Sequence, residues 1–420
     1  MGKKMKVEHN IRDTSHQSGR KSKKPATKPK PSKSQQPKEA PSSTAESNTI
    51  SALLPMPLQQ RLLSTFNAAY NPVLTSNSLG EILQEVKAAL YARDFDAAFA
   101  KARPEALDAY AARWSPTRAL GYAAVFLGIE EYLEELEAEV KVEAKAEDGD
   151  EAEAEARAEE TGDPRTELTK SIRMLSIGGG AAEIAAFAAY LSQQPSRSLG
   201  GTMALLDSAP WDDAVAKLHD ALTTPPPLSK YANAAAKAAN VAIIEADRLT
   251  SSFTQQDVLA MTRDQLSQKL GDEPLLVTLL FTLNELYTTA GIGKTTAFLL
   301  DLTATVPLGS LLLVVDSPGS YSEAAVGKDS KKYPMQWLMD HTLVTKPEKE
   351  GVAEGCRWEK LESHDSVWFR LADSLKYPIP SKTCATKCTC TAPPSPKRQK
   401  DDGRPRRAEI HYAQTSLFRE

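Results

Sequence analysis

The residues best placed to do chemistry are a glycine triplet and a set of carboxylates spaced along the second half of the chain. Ser176-Ile-Gly-Gly-Gly-Ala-Ala-Glu183 follows an apolar run and opens a helical pattern. Glycines there let the backbone approach a ligand and adopt positive φ, and the free amides of the next helix point at polar ligand atoms. Gly178, Gly179, Gly180 and Glu183 are therefore expected to bind a nucleotide-like ligand, although a glycine triplet by itself also describes a mobile turn. Asp207 ends the second apolar run, where an acidic side chain accepts both hydroxyls of a ribose. Asp257, in Thr254-Gln-Gln-Asp-Val258, stands near the end of the third, beside an apolar residue, a pairing suited to the exocyclic amine and the face of a purine. Each aspartate alone is equally a helix cap. Three polar features at the carboxyl ends of successive strands point instead to one ligand crevice. Asn284 and Glu285, in Phe281-Thr-Leu-Asn-Glu-Leu-Tyr287, and Asp316, in Val315-Asp-Ser-Pro-Gly-Ser-Tyr321, belong on the acceptor side of that crevice. Glu285 and Asp316 are candidate bases and Asn284 a candidate hydrogen-bond donor, with strand-end capping the alternative role for each.

These residues must be positioned by short apolar runs alternating with helical patterns, the texture of a parallel sheet with crossover helices. The runs are Ile172 to Ile177, Met203 to Asp207, Ser252 to Val258, Leu275 to Leu283 and Ser310 to Asp316. Amphipathic segments lie around Ile184 to Leu191, Asp213 to Leu222, Asp264 to Leu270 and Thr296 to Val306. The pattern predicts an α/β doubly wound domain over residues 166–377. Trp358 to Leu371 reads as strand or hairpin, and residues 408–420, through Glu409 to Arg419, offer a further antiparallel strand. Before the sheet, residues 51–129 carry apolar residues at helical spacing, as in Ile82, Val86 and Leu90, with stops at Pro104 and Pro116. Arg113 and Arg118 flank Trp114 at a helix junction there, where they either face a phosphate or cap a helix. Residues 130–165, from Glu130 to Glu160 mostly Glu and Ala, read as an acidic insertion with no face to bury.

The chain has 420 residues and a net charge of −4, an average that conceals segregation. Residues 1–50 read as a disordered arm, basic from Lys21 to Lys38, and residues 378–407 as a disordered stretch ending in a second basic cluster, Lys397 to Arg407. Clustered Lys and Arg on such arms suit nucleic-acid contact or nuclear import, or else a solvated tail. Cys384, Cys388 and Cys390 make no paired framework, so a reducing, intracellular compartment is expected. They would hold zinc only with a fourth ligand such as His411, and no metal is expected. No apolar run reaches the length of a membrane span. Gly291-Ile-Gly-Lys-Thr-Thr296 resembles the end of a phosphate-binding loop, but its first glycine would fall at Thr288 and it follows the fourth strand, so Lys294 is read as a helix start.

The residues together resemble the fungal uridine-N3 methyltransferases of 25S ribosomal RNA, which depend on S-adenosylmethionine. The resemblance covers most of Leu58 to Leu371. It is carried by Ala111-Ala-Arg-Trp-Ser-Pro-Thr-Arg-Ala-Leu-Gly-Tyr122, by Leu175-Ser-Ile-Gly-Gly-Gly180 and by Thr278-Leu-Leu-Phe-Thr-Leu-Asn-Glu-Leu-Tyr287. It continues through Leu311-Leu-Leu-Val-Val-Asp-Ser-Pro-Gly-Ser-Tyr-Ser322 and Tyr333-Pro-Met-Gln-Trp-Leu-Met-Asp-His-Thr342. It implies a Rossmann-like class I methyltransferase fold with a seven-stranded, mostly parallel sheet. It also implies S-adenosylmethionine as donor and a nuclear, nucleolar enzyme acting on ribosomal RNA or the pre-ribosomal large subunit. Donor contacts carry over onto Gly178, Gly180, Asp207 and Asp257, with Asn284 beside the methyl group. Ser176 departs from the acidic residue that many methyltransferases place two positions before the first glycine. Uridine N3 is protonated at neutral pH, so a base such as Glu285 or Asp316 must take its proton. A non-catalytic donor-binding assembly factor and a protein methyltransferase are the alternative readings. No feature fixes the oligomeric state, and a monomer is the default.

Overall fold

The computed structural model describes residues 53–139, 170–195, 198–316, 321–326, 329–344, 358–364, 371–379 and 410–416, with backbone alone for 321–326, 329–332 and 410–416. The basic arms and Cys384, Cys388 and Cys390 lie outside these residues, as does most of the acidic insertion. The chain is mixed α/β. Four longer helices precede the sheet: α1 (Met56–Ala69), α2 (Leu79–Tyr91), α3 (Pro104–Arg113) and α4 (Ser115–Gly128). Proline at the first or second position of α1, α3 and α4 starts each helix where a missing N–H costs nothing.

The strands are β1 (Lys170–Ile177), β2 (Leu199–Asp207), β3 (Leu249–Gln255), β4 (Leu276–Leu280) and β5 (Leu311–Asp316). A separate antiparallel hairpin follows, β6 (Tyr321–Val326) with β7 (Asp329–Pro334), and then β8 (Trp358–His364) and β9 (Ile410–Ser416). The main sheet runs β3-β2-β1-β4-β5-β9-β8, with every neighbouring pair in that path parallel. The two-residue strand Ala138–Glu139 adds antiparallel to the start of β1. The helices between strands are α5 (Ala181–Gln193), α6 (Asp212–Thr223), α7 (Arg263–Leu270), α8 (Leu283–Thr305) and, after the hairpin, α9 (Met335–Leu343).

Strand alternation builds two cores. Ile172, Met174, Met203, Leu205, Leu311, Leu313 and Val315 face α1 to α6. Leu175, Ile177, Leu206, Val277, Leu279, Leu312 and Val314 face α7 to α9. A sheet buried on both faces explains why these strands read as continuous apolar runs. Because β1 lies between β2 and β4, the order in which strands are added reverses beside it, which opens a crevice at the carboxyl ends of the strands.

Several sequence expectations need correction. β2 starts at Leu199, ahead of Met203, because Gly200 and Gly201 hide it from a propensity reading; a Cβ on Gly201 would run into Phe187 at 2.5 Å. β3 covers Leu249–Gln255, not Ser252 to Val258, and Asp257 caps the next turn by accepting from the Leu259 N–H at 2.9 Å. β4 ends at Leu280, not Leu283, because Phe281 takes φ 64° and turns the chain out of the strand. α8 then starts at Leu283, well before Thr296, and passes a break at Gly291. β9 pairs parallel, not antiparallel, since the long segment between His364 and Ile410 allows the crossover that parallel pairing requires. The start of the acidic stretch does bury a face: Leu133 and Leu136 are inside, at helical spacing from the buried Ile129 that precedes the stretch.

Candidate functional site

The crevice is built from the β1 turn outward. Gly178 takes φ 72°, and its N–H donates to the Leu206 carbonyl at 2.8 Å. A Cβ at Gly178 would collide with the Thr282 side chain, whose hydroxyl donates to the Ile177 carbonyl at 3.0 Å. Only glycine therefore joins β1 to α5 here. Glu183, in the first turn of α5, accepts from the Gly180 N–H at 2.8 Å and keeps that turn in register. Ser176 is 1% exposed and accepts from the Thr278 hydroxyl at 3.0 Å.

A cleft of about 490 Å3 opens at this edge, lined by Gly178, Asp207, Asp257, Thr282, Glu285 and Lys294 among others. It adjoins a recess of about 50 Å3 whose walls include Tyr110, Arg118, Gly180, Glu183, Trp211 and Phe281. Gly178, Asp207, Thr282 and Glu285 border both spaces. Six of the nine candidate residues thus come together: Gly178, Gly180, Glu183, Asp207, Asp257 and Glu285. Gly179, Asn284 and Asp316 line neither space. Asp316, 7% exposed at the end of β5, accepts from the Asn284 N–H at 2.8 Å and so fixes the first turn of α8. Lys294 lies on α8 past the break at Gly291 and not on a strand-to-helix phosphate loop, as the sequence indicated.

Sequence reasoning missed the cover supplied by the N-terminal helices. Phe95, Asp96 and Phe99 close one side of the cleft, and Tyr110 closes the recess. Arg118 is held between the Tyr110 and Phe281 rings, its guanidinium 4.6 Å from the Phe281 centroid and donating to the Tyr110 hydroxyl. Spacing marked Arg118 as a possible phosphate-facing residue; the aromatic frame that turns it inward comes from segments distant in sequence.

Burial and crowding control the charges. Burial pushes the Glu285 carboxyl up to about 8, with Asp207 adding repulsion and Arg118 opposing it. Burial pushes Asp207 up to about 7, against the hydrogen bond from Ala209 and with Glu183 adding. Glu183 is also raised, by burial, despite the Gly180 N–H and Arg118. Burial opposes the charge on Arg118, yet Tyr110, Tyr122, Glu285 and Glu183 hold its pKa above the ordinary value. All three carboxyls are raised above their unfolded values, so the folded chain binds more protons than the unfolded one between the ordinary carboxylate range and about 8. The stability they contribute is full at low pH and is lost as pH rises through about 7 and 8. The ligand-free protein should accordingly melt at a lower temperature at about pH 9 than at about pH 5, and Glu285→Gln should flatten that fall. A melting temperature that holds or climbs over this range in a pH-resolved thermal scan would contradict the raised values.

Such a site wants a ligand with concentrated positive charge, one anionic group for Arg118 and a flat apolar part for the cleft. A family model described as "Putative SAM-dependent methyltransferase" matches residues 66–383. The chain belongs to that family. S-adenosylmethionine is the family's methyl donor, and the site fits it on three observations. These are the glycine turn that a Cβ would fill, the lone half-buried arginine, and carboxyls crowded where a sulfonium and an ammonium would relieve them. Among curated relatives of this methyltransferase, a Saccharomyces cerevisiae (strain ATCC 204508 / S288c) protein is 32% identical over 322 residues, covering 72% of this chain and 74% of its own. Its name is 25S rRNA (uridine(2843)-N(3))-methyltransferase. A chain from the crystal structure of the Pyrococcus horikoshii OT3 translation initiation factor eIF-2B overlaps 67% of this chain and 90% of its own. It does so at 13% identity and a TM-score of 0.17, too low to bear on the fold. Among the described residues no group of His, Cys, Asp and Glu is arranged to hold a metal, and no helix is long and apolar enough to cross a membrane.

Proposed function

We propose that this methyltransferase modifies N3 of a uridine in large-subunit ribosomal RNA. The observation that carries the reading is the extended identity to the yeast uridine-N3 enzyme, together with a raised carboxyl, Glu285, in the cleft. On this reading the sheet is the seven-stranded, Rossmann-like class I fold, with Ala138–Glu139 as an addition and residues 51–129 as a helical cover. The enzyme works in the nucleolus, as a monomer.

Bound donor supplies an electrophilic methyl group on a positively charged sulfur. The backbone at Gly178 and Gly180 admits it closely, and Asp207 accepts its ribose hydroxyls. Asp257, beside Val258, takes the adenine amine. Arg118 pairs with the methionyl carboxylate and Glu183 with the amine, in place of the acidic residue that Ser176 lacks. Asp316 and the Asn284 N–H hold the first turn of α8 so that Glu285 faces the acceptor. Converting N3–H to N3–CH3 releases one proton, and Glu285 takes it. A carboxylate raised to about 8 is far better matched to a weakly acidic imide than one of ordinary pKa.

Purified protein incubated with radiolabelled donor and hypomethylated large-subunit RNA, followed by digestion to nucleosides, should place the label in 3-methyluridine. Asp207→Ala should weaken donor binding about 30- to 150-fold, the worth of about 2–3 kcal/mol in charge-assisted hydrogen bonds, and abolish the label at limiting donor. Label in another nucleoside would overturn the uridine assignment. Label in protein, or donor binding with no transfer even to pre-ribosomal particles, would replace the whole reading.

A further inference from the structure

Two backbone irregularities bracket one aromatic side chain at the wall of the cleft. Arg93, just past the end of α2, takes φ 55°, a left-handed value that strains a non-glycine residue. Asp96–Ala100 then forms a single π-helical turn. The Asp94 carboxylate caps it, accepting from the Ala97 N–H at 3.0 Å, and the Lys101 N–H closes it, donating to the Asp96 carbonyl at 2.7 Å. Turns of this register are rare and concentrate at functional sites. Here the segment brings Phe95, Phe99 and Ala100 to the cleft.

The two phenylalanines differ in what engages them. Phe99 is buried and fixed by Tyr110, edge-on at 4.9 Å, and by Trp211 at 5.9 Å. Phe95 is half-buried against the N-terminal core, and among the described residues no other aromatic ring lies against it. Val258, Leu259 and Leu286 also line the cleft, and they belong to the core on the opposite face of the sheet. A free ring on one wall and aliphatic side chains on the other suit a flat heteroaromatic group. The two spaces divide the donor between them. Asp207 borders both, whereas Phe95, Asp257, Val258 and Leu286 border the cleft alone. With the ribose on Asp207 and the methionyl group beside Arg118 in the recess, adenine is the part left for the cleft. We infer that Phe95 stacks on the adenine of the donor, so that the N-terminal helical region supplies one wall of the donor site. The inference rests on the reading that places adenine beside Asp257 and Val258.

The test is calorimetric titration of the full chain with S-adenosylmethionine and with methylthioadenosine, which keeps the base and ribose but lacks the methionyl amine and carboxylate. Phe95→Ala should weaken both ligands by the same factor, about 5- to 150-fold, the range of one lost base stack. Phe95→Tyr should retain most of the affinity. Phe95→Leu keeps the apolar volume, so it reports on the flat ring even if the alanine variant does not fold, and it too should weaken both ligands. A melting curve shows which variants are folded. Wild-type affinity for both ligands in folded Phe95→Ala or Phe95→Leu would overturn the stack. So would a loss confined to S-adenosylmethionine, which would put Phe95 at the methionyl end. Asp257→Asn, which keeps the cap on the Leu259 N–H, separates the inference from the reading beneath it. If Asp257→Asn binds both ligands as wild type does and Phe95→Ala does not, the amine contact is misplaced and the stack stands. If only Asp257→Asn weakens them, that reading stands and the stack falls.

Discussion

Glu285→Gln is expected to lower the rate of methyl transfer by about 100- to 10,000-fold, the range ascribed to a positioned general base. The reason is geometric before it is electrostatic. Glu285 borders both the cleft and the recess, whereas Asp316, the other candidate base, is engaged by the Asn284 N–H and lines neither. Burial and the carboxylates around it raise Glu285 to about 8, so a large fraction is protonated at neutral pH. A base must be unprotonated to act. The donor's positive charge draws that value down, so with donor bound the wild-type rate should rise with pH to a plateau reached below about 8, and the residual rate of the glutamine variant should lose that rise. Single-turnover rates across pH, with donor saturating, make the comparison directly. If the variant keeps its rate and its pH dependence, Glu285 is not the base.

Gly178→Ala should cost about 2–5 kcal/mol of stability and leave no measurable donor binding. Alanine at φ 72° loses about 1–2 kcal/mol to its own backbone. Its Cβ also meets the Thr282 side chain, and overpacking of that kind adds about 1–3 kcal/mol. Thr282 cannot swing aside freely, because its hydroxyl is bonded to the Ile177 carbonyl at 3.0 Å. Melting temperature should fall by about 5–15 °C, and a calorimetric titration with donor should show no heat of binding. In a Thr282→Ala background the same glycine substitution should cost less, a coupling that a double-mutant cycle measures. Additive costs would mean that Gly178 and Thr282 do not compete for the same space.

What the sequence revealed and what it hid follow from the range of the interactions involved. The strand cores around Ile172 to Ile177 and Ser310 to Asp316 were legible because both faces of the sheet are buried, which leaves a continuous apolar signal. The start of β2 was not, since Gly200 and Gly201 carry no side chain to read; Phe187 and Leu191 of α5 supply the packing instead. The end of β4 was hidden for a different reason. Phe281 is a good strand former by type, and tertiary contacts, among them its place over Arg118 and its N–H bond to the Val315 carbonyl at 2.6 Å, accompany its left-handed conformation. That Gly178, Asp207 and Glu285 border one cleft was legible because strand ends in a parallel sheet share one edge. Tyr110, Arg118 and Phe99 depend on how helices far away in sequence fold back over that edge, and no local pattern encodes such a return.

Among the described strands, the one latest in sequence is not at the rim of the sheet. β9 is paired on one side with β5 and on the other with β8. While the chain is being made, β5 and β8 must therefore wait as two open edges flanking a slot. β5 is wholly buried in the finished molecule, so its unpaired backbone is a ready template for another nascent chain. Synthesis normally lets folding proceed from the amino end. Here closure of the sheet waits for Ile410–Ser416, so the hydrogen-bonding edge of β5 stays open until a segment far along the chain from Asp316 has been made.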